Sequence, residues 1–277
     1  MPHQKRKVPL FFFLSFLWTW SAYCAIVLLG LKPYQGPGMR LLILGGCAPT
    51  FVGLLLIFIL YNRADRIAYL KSIIYIRRIK AVWWLFMLLV FPLVYAAAIG
   101  LDLLLHGSVP QMTNLKAVIA NPVSFFPLLL LSFLSGPFSE ELGWRGYALL
   151  PMINRMGLAK AAVLLGLIWG IWHFPLYLMP DTWHGQMGFG LYGFVSFMVL
   201  SIGLSLIMAV VYMKTGQSIV SALVLHVSSN FTSQLLQAVS PSAELFRSIF
   251  VLVLGIALSI WYAKVPLKKD AVRIQSA

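Results

Sequence analysis

Acidic residues are what this chain has least of. Only seven of its 277 residues are Asp or Glu, and charged residues of both signs make up 10%. An ordinary water-facing surface takes roughly a quarter to a third of its residues from charged types, so a soluble globular domain is excluded. Cysteine is almost absent too. Cys24 and Cys47 fall in apolar stretches and form neither a disulfide framework nor a metal motif. There is no Gly-x-Ser-x-Gly nucleophile elbow and no His-Glu-x-x-His zinc motif. Low-complexity segments and internal repeats are also missing; the lack of an inverted repeat argues against a transporter whose acid and histidines relay protons.

Hydrophobic residues fill the space, at 61%, with mean hydropathy +0.89. Several runs reach the ~20 residues that a membrane-spanning helix needs. The expected fold is all-α: a polytopic membrane bundle of about eight transmembrane helices forming one domain over 1–277. The spans fall at about 8–31, 41–61, 81–105, 122–150, 158–179, 189–213, 218–239 and 245–263. The 62–80 segment carries six basic residues, and its spacing also allows an interfacial amphipathic helix. Ser135-Gly136-Pro137 should kink or break the fourth span. Asp102, near the end of the third, is expected at the membrane interface.

The net charge of +14 would suggest nucleic acid for a soluble domain. Here the basic residues cluster between apolar runs, which points to topology and anionic lipid. Eight spans put both termini on one side. Sixteen of the 21 Lys and Arg then lie on that side, among them Lys5, Arg6, Lys7, Lys268, Lys269 and Arg273. Lys32, Arg40, Lys116 and Arg247 lie on the other, and Arg145 lies within a span. The positive-inside rule therefore makes both termini cytoplasmic.

Against this background three polar constellations stand out. The first is Ser139-Glu140-Glu141-Leu142-Gly143-Trp144-Arg145-Gly146. A carboxylate near the bilayer core costs at least ~2.5–3.5 kcal/mol, and here two adjoin. On a helix Glu141 and Arg145 share a face and can pair, which leaves Glu140 free for chemistry; a buried ion pair that only fixes packing is the plainer reading. The second is Trp169-Gly170-Ile171-Trp172-His173-Phe174-Pro175. Trp169, one turn before His173, could stack on its ring, or the histidine could simply belong to an interfacial aromatic belt. The third is His226-Val227-Ser228-Ser229-Asn230, where His226 and Asn230 point from one helix face. Interhelical polar bonding is the plainer reading there. Brought together, the three supply a carboxylate, two imidazoles and a carboxamide, enough to activate a water and stabilise an oxyanion.

Glu140-Glu141-x-x-x-Arg145, aromatic-x-x-x-His173 and His226-x-x-x-Asn230 resemble the three-motif signature of the CAAX proteases and bacteriocin-processing enzymes (CPBP or Abi family), which include the type II CAAX prenyl endopeptidases. Trp169 stands where the usual pattern has Phe. The resemblance implies an intramembrane endopeptidase with a catalytic core at about 122–240. In it Glu140 and His173 would activate water, His226 and Asn230 would form the oxyanion hole, and Glu141, Arg145 and Trp169 would support them. It implies no obligatory cofactor. A zinc enzyme would use Glu140, His173 and His226; the metal-free reading is favoured because it leaves Glu140 as base. The implied partners are a protein or peptide substrate at the membrane and the lipid bilayer, without nucleic acid, and the Gly-Trp-Arg-Gly wording implies a bacterial cell membrane. A non-catalytic scaffold that keeps the fold, for bacteriocin immunity or for regulating a membrane partner, is the alternative. One tension accompanies the enzyme reading. Glu140 falls in the second half of a span running inward, whereas His173 falls toward the outer half of the next, so the fourth span must be tilted or broken for them to meet.

Overall fold

The computed structural model of the chain describes residues 7–77, 79–107, 109–237 and 240–264. Lys5, Arg6, Arg78, Lys268, Lys269 and Arg273 of the topology count, and the end of the expected 218–239 span, lie outside the described residues. The described chain is all helical, without strands. In order the helices are α1 (Lys7–Leu28), α2 (Gly36–Gly46), α3 (Ala48–Leu60), α4 (Arg63–Ile74), α5 (Ala81–His106), α6 (Thr113–Ala120), α7 (Phe125–Leu134), α8 (Pro137–Gly143), α9 (Leu150–Met156), α10 (Leu158–Trp172), α11 (Trp183–Met187), α12 (Ser196–Lys214), α13 (Ile219–Leu236) and α14 (Pro241–Lys264). Among the described residues seven helical segments are long and apolar enough to cross a membrane, or eight if the bent pair α2–α3 counts as one span. The protein is a polytopic membrane bundle.

Three spans differ from their expected form. The second is bent by 46° between α2 and α3, at Cys47, where Pro49 begins the new helix. The fourth, Pro122–Met156, is divided between α7 and α8 at Ser135 and Gly136; Pro137, which has no N–H to donate, restarts it. It then widens into a π-helical stretch at Trp144–Leu149 before α9. The fifth stops being α-helical at Trp172 and continues as a 3-10 turn, Phe174–Leu178, so His173 lies at the helix end rather than inside it. Pro175, next in this turn, accounts for the stop.

The centre of the bundle is α12. Every residue from Gly203 to Tyr212 is buried, as expected for a helix that is apolar all round. Lipid tails are as apolar as Leu, so its neighbours approach by small residues instead. A Cβ on Gly166 of α10 would lie 2.6 Å from the Ile202 backbone; one on Gly203 would lie 2.6 Å from Leu252 of α14; one on Gly255 of α14 would lie 2.7 Å from the Gly203 carbonyl. Two polar latches add to this packing. Asp102, buried rather than interfacial, accepts hydrogen bonds of 2.5 Å each from Ser240 and Ser242, tying the end of α5 to the start of α14. Arg247, counted from sequence as an outer-side residue, is buried within α14, where it pairs with Glu244 at 2.5 Å and donates to Tyr95 of α5 at 2.8 Å.

Gly203→Ala and Gly255→Ala are each expected to cost about 1–3 kcal/mol by overpacking, read as a lower unfolding midpoint in detergent. Gly100→Ala, where a Cβ meets nothing within 4 Å, should leave the midpoint unchanged or raise it.

Candidate active site

The site forms where α8, the end of α10 and the middle of α13 meet. α8 begins directly after the break at Gly136, so Glu140 and Glu141 stand in its first turns, 5% and 0% exposed. The two carboxylates face different partners. Glu141 Oε1 accepts from Arg145 Nη1 at 2.8 Å and from His226 Nδ1 at 2.7 Å. Arg145 is itself fully buried, and Glu141 supplies the opposite charge that this guanidinium needs, although its Nε and Nη2 have no hydrogen-bond partner among the described residues. Glu140 Oε2 accepts from the Trp169 indole N–H at 2.5 Å.

Trp169 connects the three sequence motifs. Its side chain holds Glu140. Its carbonyl accepts from His173 Nδ1 at 2.9 Å. The Arg145 guanidinium lies 4.6 Å over its ring, and the His226 and His173 rings meet it edge-on at 5.2 and 6.0 Å between centroids. The one-turn spacing of Trp169 and His173 thus works chiefly through the backbone carbonyl, with ring contact secondary. Trp172 packs on the other side of His173 at 4.7 Å, held by its N–H donated to Thr19 Oγ1 of α1 at 2.9 Å; Thr19 in turn donates to the Gly45 carbonyl.

These bonds fix proton positions. A carbonyl and a carboxylate only accept, so His173 and His226 both carry hydrogen on Nδ1. The Nε2 of a neutral His173 is therefore a lone pair, able to take a proton. His226 Nε2 can donate only while the ring also holds a second proton.

The remaining atoms face a gap at the helix break. A Cβ on Gly136 would lie 3.1 Å from Glu140 Oε1, 3.3 Å from His226 Nε2 and 3.4 Å from Asn230 Nδ2. Three polar atoms from two helices thus surround one point that only a glycine leaves open. Ser139 Oγ donates to the Gly136 carbonyl at 2.9 Å and Thr50 Oγ1 of α3 to the Phe138 carbonyl at 3.1 Å, which holds the broken turn in place.

All seven residues singled out from the sequence, Glu140, Glu141, Arg145, Trp169, His173, His226 and Asn230, lie in this one connected group. The break in the fourth span and the end of α10 at Trp172 let Glu140 and His173 share Trp169. Sequence reading missed two residues. Gly136 was legible as a break, but not as the open face of the site. His184 was placed in a loop without a role; its ring stacks on that of His173 at 5.4 Å and 24°. Burial, together with the neighbouring His173, holds the pKa of His184 well below the ordinary imidazole range. Among the described residues no three His, Cys, Asp or Glu side chains are grouped to hold a metal ion. The zinc set considered from sequence, Glu140, His173 and His226, is not among such groups.

Residues 122–232 match the sequence model of the family described as type II CAAX prenyl endopeptidase Rce1-like, a stretch that holds every residue of the group from Gly136 to Asn230. The chain is also 26% identical over 258 residues to CAAX prenyl protease 2 of Methanococcus maripaludis, a match covering 91% of each chain. With the three motifs in order, in one buried cluster and within the matched region, the chain is similar to the Rce1-like type II CAAX prenyl endopeptidases.

Proposed function

We propose that the protein is an intramembrane endopeptidase that cuts a membrane-associated protein or peptide with a water activated by Glu140 and His173. The observation that carries this reading is the convergence of Glu140 Oε1, His226 Nε2 and Asn230 Nδ2 on one point beside Gly136. A base and two donors around a single position are what peptide hydrolysis needs. Glu140 Oε1 takes a proton from water as the water oxygen bonds to the scissile carbonyl carbon. The carbonyl oxygen becomes an oxyanion, held by the His226 and Asn230 N–H groups. The C–N bond then breaks, and the departing amine takes up the proton held by Glu140, with His173 Nε2 as its second carrier. Glu141, seated by Arg145, keeps His226 oriented. The reaction needs no metal in this scheme. The relative's name, CAAX prenyl protease, makes a prenylated CAAX peptide the first substrate to try. Both termini lie on the cytoplasmic side, as the basic-residue asymmetry supports.

Glu140→Gln keeps the side chain's shape and its ability to accept from Trp169, but removes the base. Cleavage should fall by about 10²–10⁴. Membrane and secreted peptidomes of cells carrying wild type and Glu140→Gln at matched expression measure this: peptides found only with wild type name the substrate and the cut face. Identical peptidomes with a preserved phenotype would favour the scaffold reading instead.

Gly136→Ala puts a methyl group into the gap between the three converging atoms. Peptidase activity of the purified protein should be lost while it still extracts and elutes as a monodisperse species. Activity close to wild type would show that the reacting carbonyl sits elsewhere. Treatment with 1,10-phenanthroline or EDTA should leave the rate unchanged; a loss reversed by added zinc would overturn the metal-free scheme.

A further inference from the structure

Beside His173 lies a second set of polar atoms that the scheme above does not use. Between the fifth and sixth spans the chain makes a tight turn carrying the short helix α11. Its shape is closely specified. Thr182, 2% exposed, donates to the Leu176 and Met179 carbonyls at 2.8 Å each and accepts from Gly185 N at 3.0 Å. Gly185 lies so close to Met179 that a Cβ there would be 2.0 Å from the Met179 carbonyl oxygen. The turn therefore holds His184 in one place. Its ring is stacked on His173, flanked by Phe197 at 4.9 Å and by Tyr177 edge-on at 5.2 Å.

Within this packing two polar atoms on contacting rings are buried without a hydrogen-bond partner among the described residues: Nε2 of His184 and the hydroxyl of Tyr177. Folded proteins satisfy nearly all such atoms, because burying one unpaired is costly. Two unpaired atoms on touching residues, one ring away from a group placed in the reaction, call for a partner that arrives with the substrate. The chemistry of the pair limits what that partner is. The Nε2 of a neutral imidazole donates in one tautomer and accepts in the other, and a phenol hydroxyl does either, so the pair can meet the N–H and C=O of a peptide group.

We propose that His184 and Tyr177 form a subsite that hydrogen-bonds a backbone peptide group of the substrate next to the scissile bond. The inference rests on the reading of His173 as part of the active site. It assigns the α11 turn the task of aligning an extended substrate strand.

His184→Phe and Tyr177→Phe test it, since each preserves an aromatic ring and removes only the polar atom. Both are placed in the Glu140→Gln background, so that binding is read without turnover. The probe is a fluorescent, farnesylated peptide ending in Cys-aliphatic-aliphatic-X, titrated against the full-length protein in nanodiscs. Each substitution should weaken binding about fivefold, with the unfolding midpoint unchanged, and the double variant should lose less than the product of the two. An N-methylated peptide at the bond beside the scissile one should bind wild type and the double variant equally. Unchanged affinity in both single variants would overturn the proposal. So would unchanged affinity with a lowered midpoint, the result expected if the two atoms share a buried water. The two readings can fail separately. Loss of cleavage in Glu140→Gln with affinity indifferent to both substitutions sinks the subsite alone. His184-dependent binding without cleavage by the wild type sinks the peptidase scheme alone.

Discussion

The site depends on one carboxylate oxygen. Oε1 of Glu141 receives the Arg145 guanidinium and the His226 imidazole in a part of the bundle that water does not reach. Removing one partner of such a buried pair typically costs about 3–5 kcal/mol, because the other charge is left uncompensated. That penalty ties α8 to α13 more firmly than apolar packing would. Between membrane helices the hydrophobic effect contributes little, and fit and hydrogen bonds decide which faces meet. Once Glu141 holds Arg145 and His226, Glu140 is carried to its own position by the helix it shares with Glu141. Asn230, one turn beyond His226, is likewise carried to the gap at Gly136.

Irregular backbone makes this placement achievable. Inside a bilayer non-helical backbone survives only where protein covers it, and each irregular stretch here is covered. The turn at Gly136 is bonded by Ser139, and the next residues by Thr50. The π-helical stretch after Gly143 is matched by Tyr69, the buried residue of α4, whose hydroxyl donates to the Leu142 carbonyl at 2.8 Å. Close to this bond α3 lies against α8 so tightly that a Cβ on Gly143 would be 2.2 Å from the Pro49 carbonyl. The basic helix α4 and the bent pair α2–α3, which look peripheral in the sequence, thus brace the segment that carries both glutamates.

What was legible in the sequence was whatever depends on length and local spacing. Span length and charge bias marked the bundle. The i, i+4 rule paired Glu141 with Arg145 and put His226 and Asn230 on one face, and Gly136-Pro137 marked a break. Illegible were features set by which helices touch. Nothing local to Arg247 says that it points inward to Glu244 and Tyr95, or that Asp102 is covered by serines of a helix more than a hundred residues on. Nothing local to His184 says that its loop folds back over His173. The apparent distance between Glu140 and His173 had the same origin. It assumed straight spans, and the chain departs from straightness at the residues that bring the two groups together.

Trp169 shows how a single exchange can act on such a site. The family pattern has Phe there, and a Phe would supply the ring that Arg145, His173 and His226 pack against. The indole adds an N–H, and that N–H is bonded to Glu140 Oε2. A carboxylate has two equivalent oxygens, and bonding one of them removes the equivalence. The side chain can no longer rotate freely about its last bond, and Oε1 is left turned toward Gly136, His226 and Asn230. The same indole lies beneath the Arg145 guanidinium, so orientation of the free carboxylate and seating of the structural ion pair are coupled through one ring. A site built this way gains order at Glu140, and it obtains that order from the residue at which the chain departs from the usual pattern of the family it resembles.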